Sequence, residues 1–542
     1  MKLDLKNKTI LVVEDYPVMR KAMKNMLVTL GAQYIFEADN GRVAIATMKK
    51  RKYDIVLCDY DLGEGKTGQQ VLEEARHKKL IPFDTIFIIV SAHQSASFVL
   101  SSIENKPDEY LAKPFNPQQL SIRLANSSAR KKYLYVIEKE IDKGNLARAI
   151  YHCDTLLSDK QQAIRSYLLK IRADLAIKVG DFKKASDIYQ HILEQRDLPW
   201  AKLGTGIVAY YQGDYEAAIN ILEQLISEKP MLMECYDWLA RSYELLDQLD
   251  QAEKTLTQAT EISPQSFFRQ KKLAALAERT GNLDIAEKAY LAVTQLGQYS
   301  IHKSPADYSG LAKVYSKKHE EGQAFKSLAS LRKNFINNPE ADLRASALET
   351  EIHKNNGNTE LSELAFHRVK TLQLQLQDKT TFDLQLDVAK ACYINNDIET
   401  ADSIINALVQ NHIDDNGLMD DIRRMHNDIG NHNHSEVLIQ QTKQKLMQIN
   451  NQGVQLFKEG HLADALAVFE EAVEKMPKNK AILLNMAKIS LHDLKTSGVT
   501  EEKLLLTQRY IQQAKEVGIG SDKLGNVLLE FEKITNTPPS LV

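Results

Sequence analysis

The spacing of hydrophobic and polar positions changes character near residue 128. Before it, short apolar runs alternate with segments whose apolar residues recur every three or four positions, which predicts strands alternating with amphipathic helices. The runs are Lys8–Val13, Tyr53–Asp59, Thr85–Val90 and the shorter Glu109–Leu111. The helical segments are Met19–Leu30, stopped by Gly31, then Ala38–Lys50 around Asn40-Gly41, Gln69–His77, Ser95–Ser102 and Pro117–Ala129. Such alternation favours a parallel sheet covered on both faces.

After Asn126-Ser127-Ser128 the strand signal disappears, and from Tyr133 onward helical segments are broken at short intervals by Gly-Asn, Gly-Asp or their equivalents. Gly144-Asn145-Leu146, Gly180-Asp181-Phe182, Gly213-Asp214-Tyr215 and Gly281-Asn282-Leu283 each carry an alanine five residues past the glycine. They recur at about the 34-residue period of a helix-turn-helix repeat, the last interval being about two periods. Asp247-Gln248-Leu249-Asp250-Gln251-Ala252 supplies the missing marker, with an aspartate where the others have glycine. Tyr236, Leu239, Ala240 and Tyr243 then line one helix of a pair, and Ala252, Leu256 and Ala259 the other. Gly460-His461-Leu462, with Ala465, Phe469 and Ala472, repeats the pattern near the far end. Two domains are therefore expected: 1–128, and a helical-repeat region 129–542, clearest at 133–300 and 446–479 and degenerate at 304–434. One more helix, Glu501–Lys515, then a less regular helical stretch and a frayed end at Thr537-Pro538-Pro539 complete the expectation.

Chemistry concentrates at the strand ends of the first domain. The run Tyr53–Asp59 ends on Asp59, and Lys8–Val13 ends on Glu14-Asp15. Side by side in a parallel sheet, these strands bring three carboxylates to one edge, where open α/β folds place their ligands. Such a cluster raises its own pKa values unless a cation neutralises it. A hard divalent ion, Mg²⁺ foremost, suits carboxylates, a backbone carbonyl and water. Two more strand ends deliver Ser91 and Lys113. Alone, Asp59 or Ser91 would be a cap and Lys113 a solvated side chain. Together they form a site suited to taking up a phosphoryl group: Asp59 as nucleophile, Glu14 and Asp15 on the metal, Ser91 and Lys113 on the remaining oxygens.

Glu14-Asp15, Asp59, Ser91-Ala92 and Tyr110-Leu111-Ala112-Lys113-Pro114-Phe115 together resemble the receiver domain of two-component response regulators. The resemblance implies a flavodoxin-like (βα)5 fold with a parallel five-stranded sheet and a Mg²⁺-dependent aspartyl phosphate on Asp59. It also implies a metal contact from the main-chain carbonyl of Asp61, and a switch pair of Ser91 with Tyr110. The loop Asp61-Leu62-Gly63-Glu64-Gly65-Lys66-Thr67-Gly68 departs from the family in lacking proline and being a residue longer. The repeat units, most specifically Trp200–Pro264 and Ile449–Pro477, resemble tetratricopeptide repeats, which implies an all-α superhelix or α-solenoid.

Composition narrows the classes. At 542 residues the chain is too long for one core. Its net charge of −3 gives no electrostatic case for nucleic acid. The 4 cysteines, Cys58, Cys153, Cys235 and Cys392, form no C-x-x-C pair and read as buried, reduced thiols. No apolar run approaches a membrane span and Met1–Lys6 has no signal-peptide core, so a cytoplasmic location without membrane insertion is expected. His426, His432 and His434, near Asp428 and Glu436, are expected to form a polar loop rather than a metal site. Trp200 and Trp238 are expected to pack within repeats, and Glu470-Glu471 to face solvent.

The function these features suggest is that of a response regulator. Asp59 would take its phosphoryl group from a histidine kinase or phosphotransfer protein and control which protein or peptide the repeat groove holds, with a homodimer allowed. Coupling is expected through the face of the last two receiver helices, with Tyr110, which either docks on the first repeat or releases it. No enzyme beyond this self-phosphorylation is expected. Two alternatives stay open: an inhibitor or phosphate sink that competes with another regulator for its kinase, and a repeat region with its own phosphatase or other catalytic activity.

Overall fold

The computed structural model describes residues 4–92, 107–158, 164–376 and 380–536. The chain divides into two compact units, Met1–Lys318 and His319–Val542.

The first unit begins with a parallel five-stranded sheet in the order β2-β1-β3-β4-β5. The strands are β1 (Thr9–Val13), β2 (Tyr34–Ala38), β3 (Ile55–Asp59), β4 (Ile86–Ser91) and β5 (Glu109–Ala112). Among the described residues, the helices between them are α1 (Pro17–Thr29), α2 (Gly41–Lys50) and α3 (Gly68–His77). Period-two burial splits the sheet between two cores. Leu11, Val13, Val56, Cys58, Phe87 and Ile89 pack with Ala44, Ile45, Val71, Leu72 and Ala75 of α2 and α3. Ile10, Val12, Ile55, Leu57, Ile88 and Val90 pack with Met23 and Leu27 of α1 and with Leu120 and Leu124. The helix expected at Ser95–Ser102 lies outside the described residues.

Two elements differ from the sequence expectation. β2 was not among the expected runs; it is an edge strand on which only Ala38 is fully buried, so Tyr34-Ile35-Phe36-Glu37 shows no clean apolar run. The helix expected to end at Ala129 continues unbroken from Pro117 to Asp142, so the expected junction at 128 falls inside it. Its polar stretch is not a linker because it is satisfied internally. Ser127 donates to Glu109 Oε1 at 3.1 Å, and Lys131 Nζ donates to the carbonyls of Phe83 and Thr85 and pairs with Asp108 at 2.9 Å. Farther along, Leu134 and Ile137 pack with Ala149, Cys153 and Leu168. One helix thus closes the α/β domain and opens the helical array.

The array keeps a fixed turn. Gly144, Gly180, Gly213 and Gly281 all lie in the left-handed region, and Asp247 does the same work at φ 57°. Aspartate tolerates that region better than most side chains. In some pairs an aromatic ring fills the space over a glycine: a Cβ at Gly204 would lie 2.2 Å from the Tyr189 ring, and one at Gly310 2.4 Å from Tyr290.

The second unit uses the same devices. His319 (φ 59°), Asn396 (φ 60°) and Gly430 (φ 75°) hold the turn in the stretch expected to be degenerate, and Gly460 holds it beyond. Gly453 lies under the Phe469 ring. The tail contains Glu501–Glu516 and a further helix, Ser521–Asn536. The expected frayed end lies outside the described residues. All four cysteines are free and buried. Among the described residues, no helix is long and apolar enough to cross a membrane.

Candidate functional site

Register brings the candidate residues together. Val13 of β1 pairs with Cys58 of β3, Asp59 with Val90 of β4, and Ser91 with Ala112 of β5. The residues at or just past these strand ends, Glu14, Asp59, Ser91 and Lys113, therefore meet at one edge. Glu14 and Asp59 are only 2% and 6% exposed, while Asp15 stands exposed at the mouth. One carboxylate oxygen from each of Glu14, Asp15 and Asp59 can be chosen so that all lie within 4.8 Å of one another. Lys113 Nζ lies 2.8 Å from Glu14 Oε2 and 3.1 Å from Asp59 Oδ1.

Electrostatics follow from this crowding. Burial, and then the charge of Glu14, push the Asp59 carboxyl up to about 6, against the opposing pull of Lys113. For Lys113, burial favours the neutral amine, but the hydrogen bond to Glu14 and the charge of Asp59 outweigh it, and its pKa rises. Three carboxylates face one ammonium, so negative charge is left over. That hard-oxygen donor set fits a divalent cation of the Mg²⁺ type, and it is the only such grouping among the described residues.

The neighbouring groups complete the pocket. Ser91 is fully buried and shares a side-chain hydrogen bond with Tyr110, whose ring packs against the core beneath. Asp61 is exposed, and its charge adds to the upward pressure on Asp59. The loop beyond it turns through Gly63 (φ 69°), where an added Cβ would come 3.2 Å from Asp15 Oδ2. The left-handed glycine is what lets this proline-free loop pass close to Asp15.

Arg20, which sequence reasoning missed, donates from Nη1 to the Glu14 carbonyl at 2.6 Å and so fixes the backbone carrying the acidic pair. An arginine one turn into α1 is visible in the sequence, but nothing in its spacing separates it from a solvated one. The histidines correct the expectation of a polar loop. His426 is fully buried on the helix Asn416–Asp428, with its ring against Tyr393 and His434. His434 instead pairs with Asp402 at 2.7 Å, and His432 with Asn427 at 3.0 Å. Trp200 and Trp238 sit in aromatic packing, beside Tyr189 and beside Tyr210 and Tyr211 respectively.

Comparison with known families agrees with this geometry. Residues 10–125 match the response regulator receiver domain, and residues 209–277 match the tetratricopeptide repeat. The chemotaxis protein CheY-3 of Vibrio cholerae is 29% identical over 119 residues, 22% of this chain and 90% of that protein. The transcriptional regulatory protein ResD of Bacillus subtilis is 32% identical over 123 residues, 22% of this chain and 49% of that protein. A tetratricopeptide repeat protein from Parabacteroides merdae has a solved structure that aligns with 48% of this chain and 96% of its own, at 16% identity and a TM-score of 0.29.

Proposed function

We propose a function that starts from two domains the chain carries, an amino-terminal response-regulator receiver domain and a tetratricopeptide repeat region. Asp59 accepts a phosphoryl group from a phosphohistidine of a kinase or phosphotransfer partner, and the repeats deliver the signal by binding another protein. The observation that carries this reading is Lys113 bridging the buried Glu14 and Asp59 at one sheet edge.

Asp59 Oδ attacks phosphorus as the phosphorus–nitrogen bond of the donor breaks, and the departing imidazole takes a proton from bulk water. Lys113, already 3.1 Å from Asp59, stays beside the new oxygens and offsets their charge. The Ser91 hydroxyl, held at the end of β4, reaches a second oxygen, and Tyr110 follows it through their shared hydrogen bond. Glu14, Asp15, Asp59 and the Asp61 carbonyl would hold Mg²⁺, which supplies charge neutralisation for the incoming group. Burial of Glu14, Asp59 and Ser91 lowers the effective dielectric around the acceptor, which strengthens these interactions.

The test uses the full chain with a small acyl phosphate and Mg²⁺, read by intact-protein mass. The wild type should gain one phosphoryl group, and lose that gain with chelator or in Asp59→Asn. Equal labelling of Asp59→Asn would overturn the assignment.

A further inference from the structure

The outer face of α3 is already in contact with the repeat array. Val71, Leu72 and Ala75 point into the receiver core, leaving Gln70, Glu73 and His77 as a polar stripe on the opposite side. That stripe lies on the turn after the helix Leu283–Leu296. Gln70 Nε2 donates to the Leu296 carbonyl at 2.8 Å, Ser300 Oγ donates to Glu73 Oε2 at 3.3 Å, and the rings of His77 and His302 are 6.2 Å apart. Lys66, just before the helix, donates to the Tyr299 carbonyl at 2.5 Å, across 233 residues of chain, and pairs with Glu74 at 3.1 Å. The turn is braced from behind by Phe268 against His302 at 4.8 Å and by Phe267 beside Gly297.

We propose that this contact is the receiver's output surface, a polar latch through which a change at Asp59 reaches the repeats; it rests on Asp59 being the phosphoacceptor. The expected coupling through the face of the last two receiver helices involves Ser95–Ser102, which lies outside the described residues.

The coupling is steric and short. Gly68 opens α3 with its N–H on the Tyr60 carbonyl at 2.8 Å, and a Cβ there would lie 2.2 Å from the Asp59 carbonyl oxygen. The start of α3 therefore has no slack against the backbone of the acceptor residue. Gln70 carries the movement outward with one amide: its Oε1 caps Thr67 N at 3.1 Å, while its Nε2 holds the array. A shift of the capped turn cannot preserve both bonds. The latch consists of half-buried or exposed polar groups, so water can replace its bonds when it opens, as a reversible contact requires.

Coupling of this kind is reciprocal. If a phosphoryl analogue at Asp59 weakens the latch, weakening the latch must strengthen binding of the analogue by the same factor, and the converse holds with the sign reversed.

The experiment uses full-length protein, with beryllofluoride plus Mg²⁺ as the probe. Hydrogen exchange is measured over 296–303 and affinity by titration calorimetry. In the wild type the probe should change the opening equilibrium of 296–303 by about fivefold or more, with no change in Asp59→Asn. Ser300→Ala, and independently Gln70→Ala, should shift probe affinity in the direction reciprocity dictates. Binding of the probe with unchanged exchange at 296–303, or an affinity shift of the wrong sign, overturns the latch and leaves the phosphoacceptor reading intact. Failure of the wild type to bind the probe overturns that reading, and the latch with it.

Discussion

Two polar regions of the first unit, the Asp59 pocket and the α3 latch, are built on opposite principles. In the pocket, Glu14 and Asp59 are almost wholly removed from water and depend on Lys113 for compensation. In the latch, side chains that stay half in water donate to backbone carbonyls of a turn. Buried charges that need one another resist rearrangement and make transferred charge worth stabilising. Hydrated polar contacts form and break with small net change, which suits transmission. Gly68 is where the two regions touch.

The largest separation between them should come from Lys113→Ala. Removing the ammonium leaves Glu14 and Asp59 repelling each other in a buried site. Labelling should slow by about a hundredfold, the scale for deleting one preorganised charge stabiliser; a loss below threefold in rapid-mix kinetics would show that Lys113 plays no such part. Gly68→Ala probes the junction. Its Cβ would collide with the Asp59 carbonyl and move α3, costing about 1–3 kcal/mol. Denaturant unfolding should show that loss, together with faster exchange at 296–303, and exchange unchanged at equal stability would separate the two regions.

The smallest effect concerns pH. Burial, then the neighbouring His77 and Lys271, depress the pKa of His302 below the ordinary 6.5. The folded state therefore binds fewer protons at this site than the unfolded one. The contribution is full above 6.5 and is lost as pH falls through the window beneath it, with a slope of at most about one proton. His302→Gln should flatten the pH dependence of exchange at 296–303 between pH 7 and pH 5; an identical slope in that variant would remove His302 from the account.

How much of this was visible in the chain follows the same division. The gathering of the pocket was legible because Glu14, Asp15, Asp59, Ser91 and Lys113 each end or follow a short β-rich run, and parallel strands bring such ends to one edge. The repeat turns were legible because a left-handed residue must recur, which let Asp247 be placed without a glycine. β2 was not, because an edge strand with Tyr34 and Glu37 in water carries no apolar run. The unbroken helix Pro117–Asp142 was hidden by Ser127 and Lys131, polar residues that look like a linker until Glu109, Phe83 and Thr85 are seen to satisfy them. The latch was hidden for a deeper reason: a lysine or glutamine that donates to a backbone carbonyl 226 or more residues away imposes no pattern on the sequence around it.

The central claim, that Asp59 is the residue that carries the phosphoryl group, is tested most directly by borohydride reduction of the labelled protein followed by peptide sequencing in the mass spectrometer. The account predicts residue 59 alone recovered as homoserine, in a Mg²⁺-dependent yield. Reduction at Glu14, Asp15 or Asp61 with residue 59 intact would contradict it.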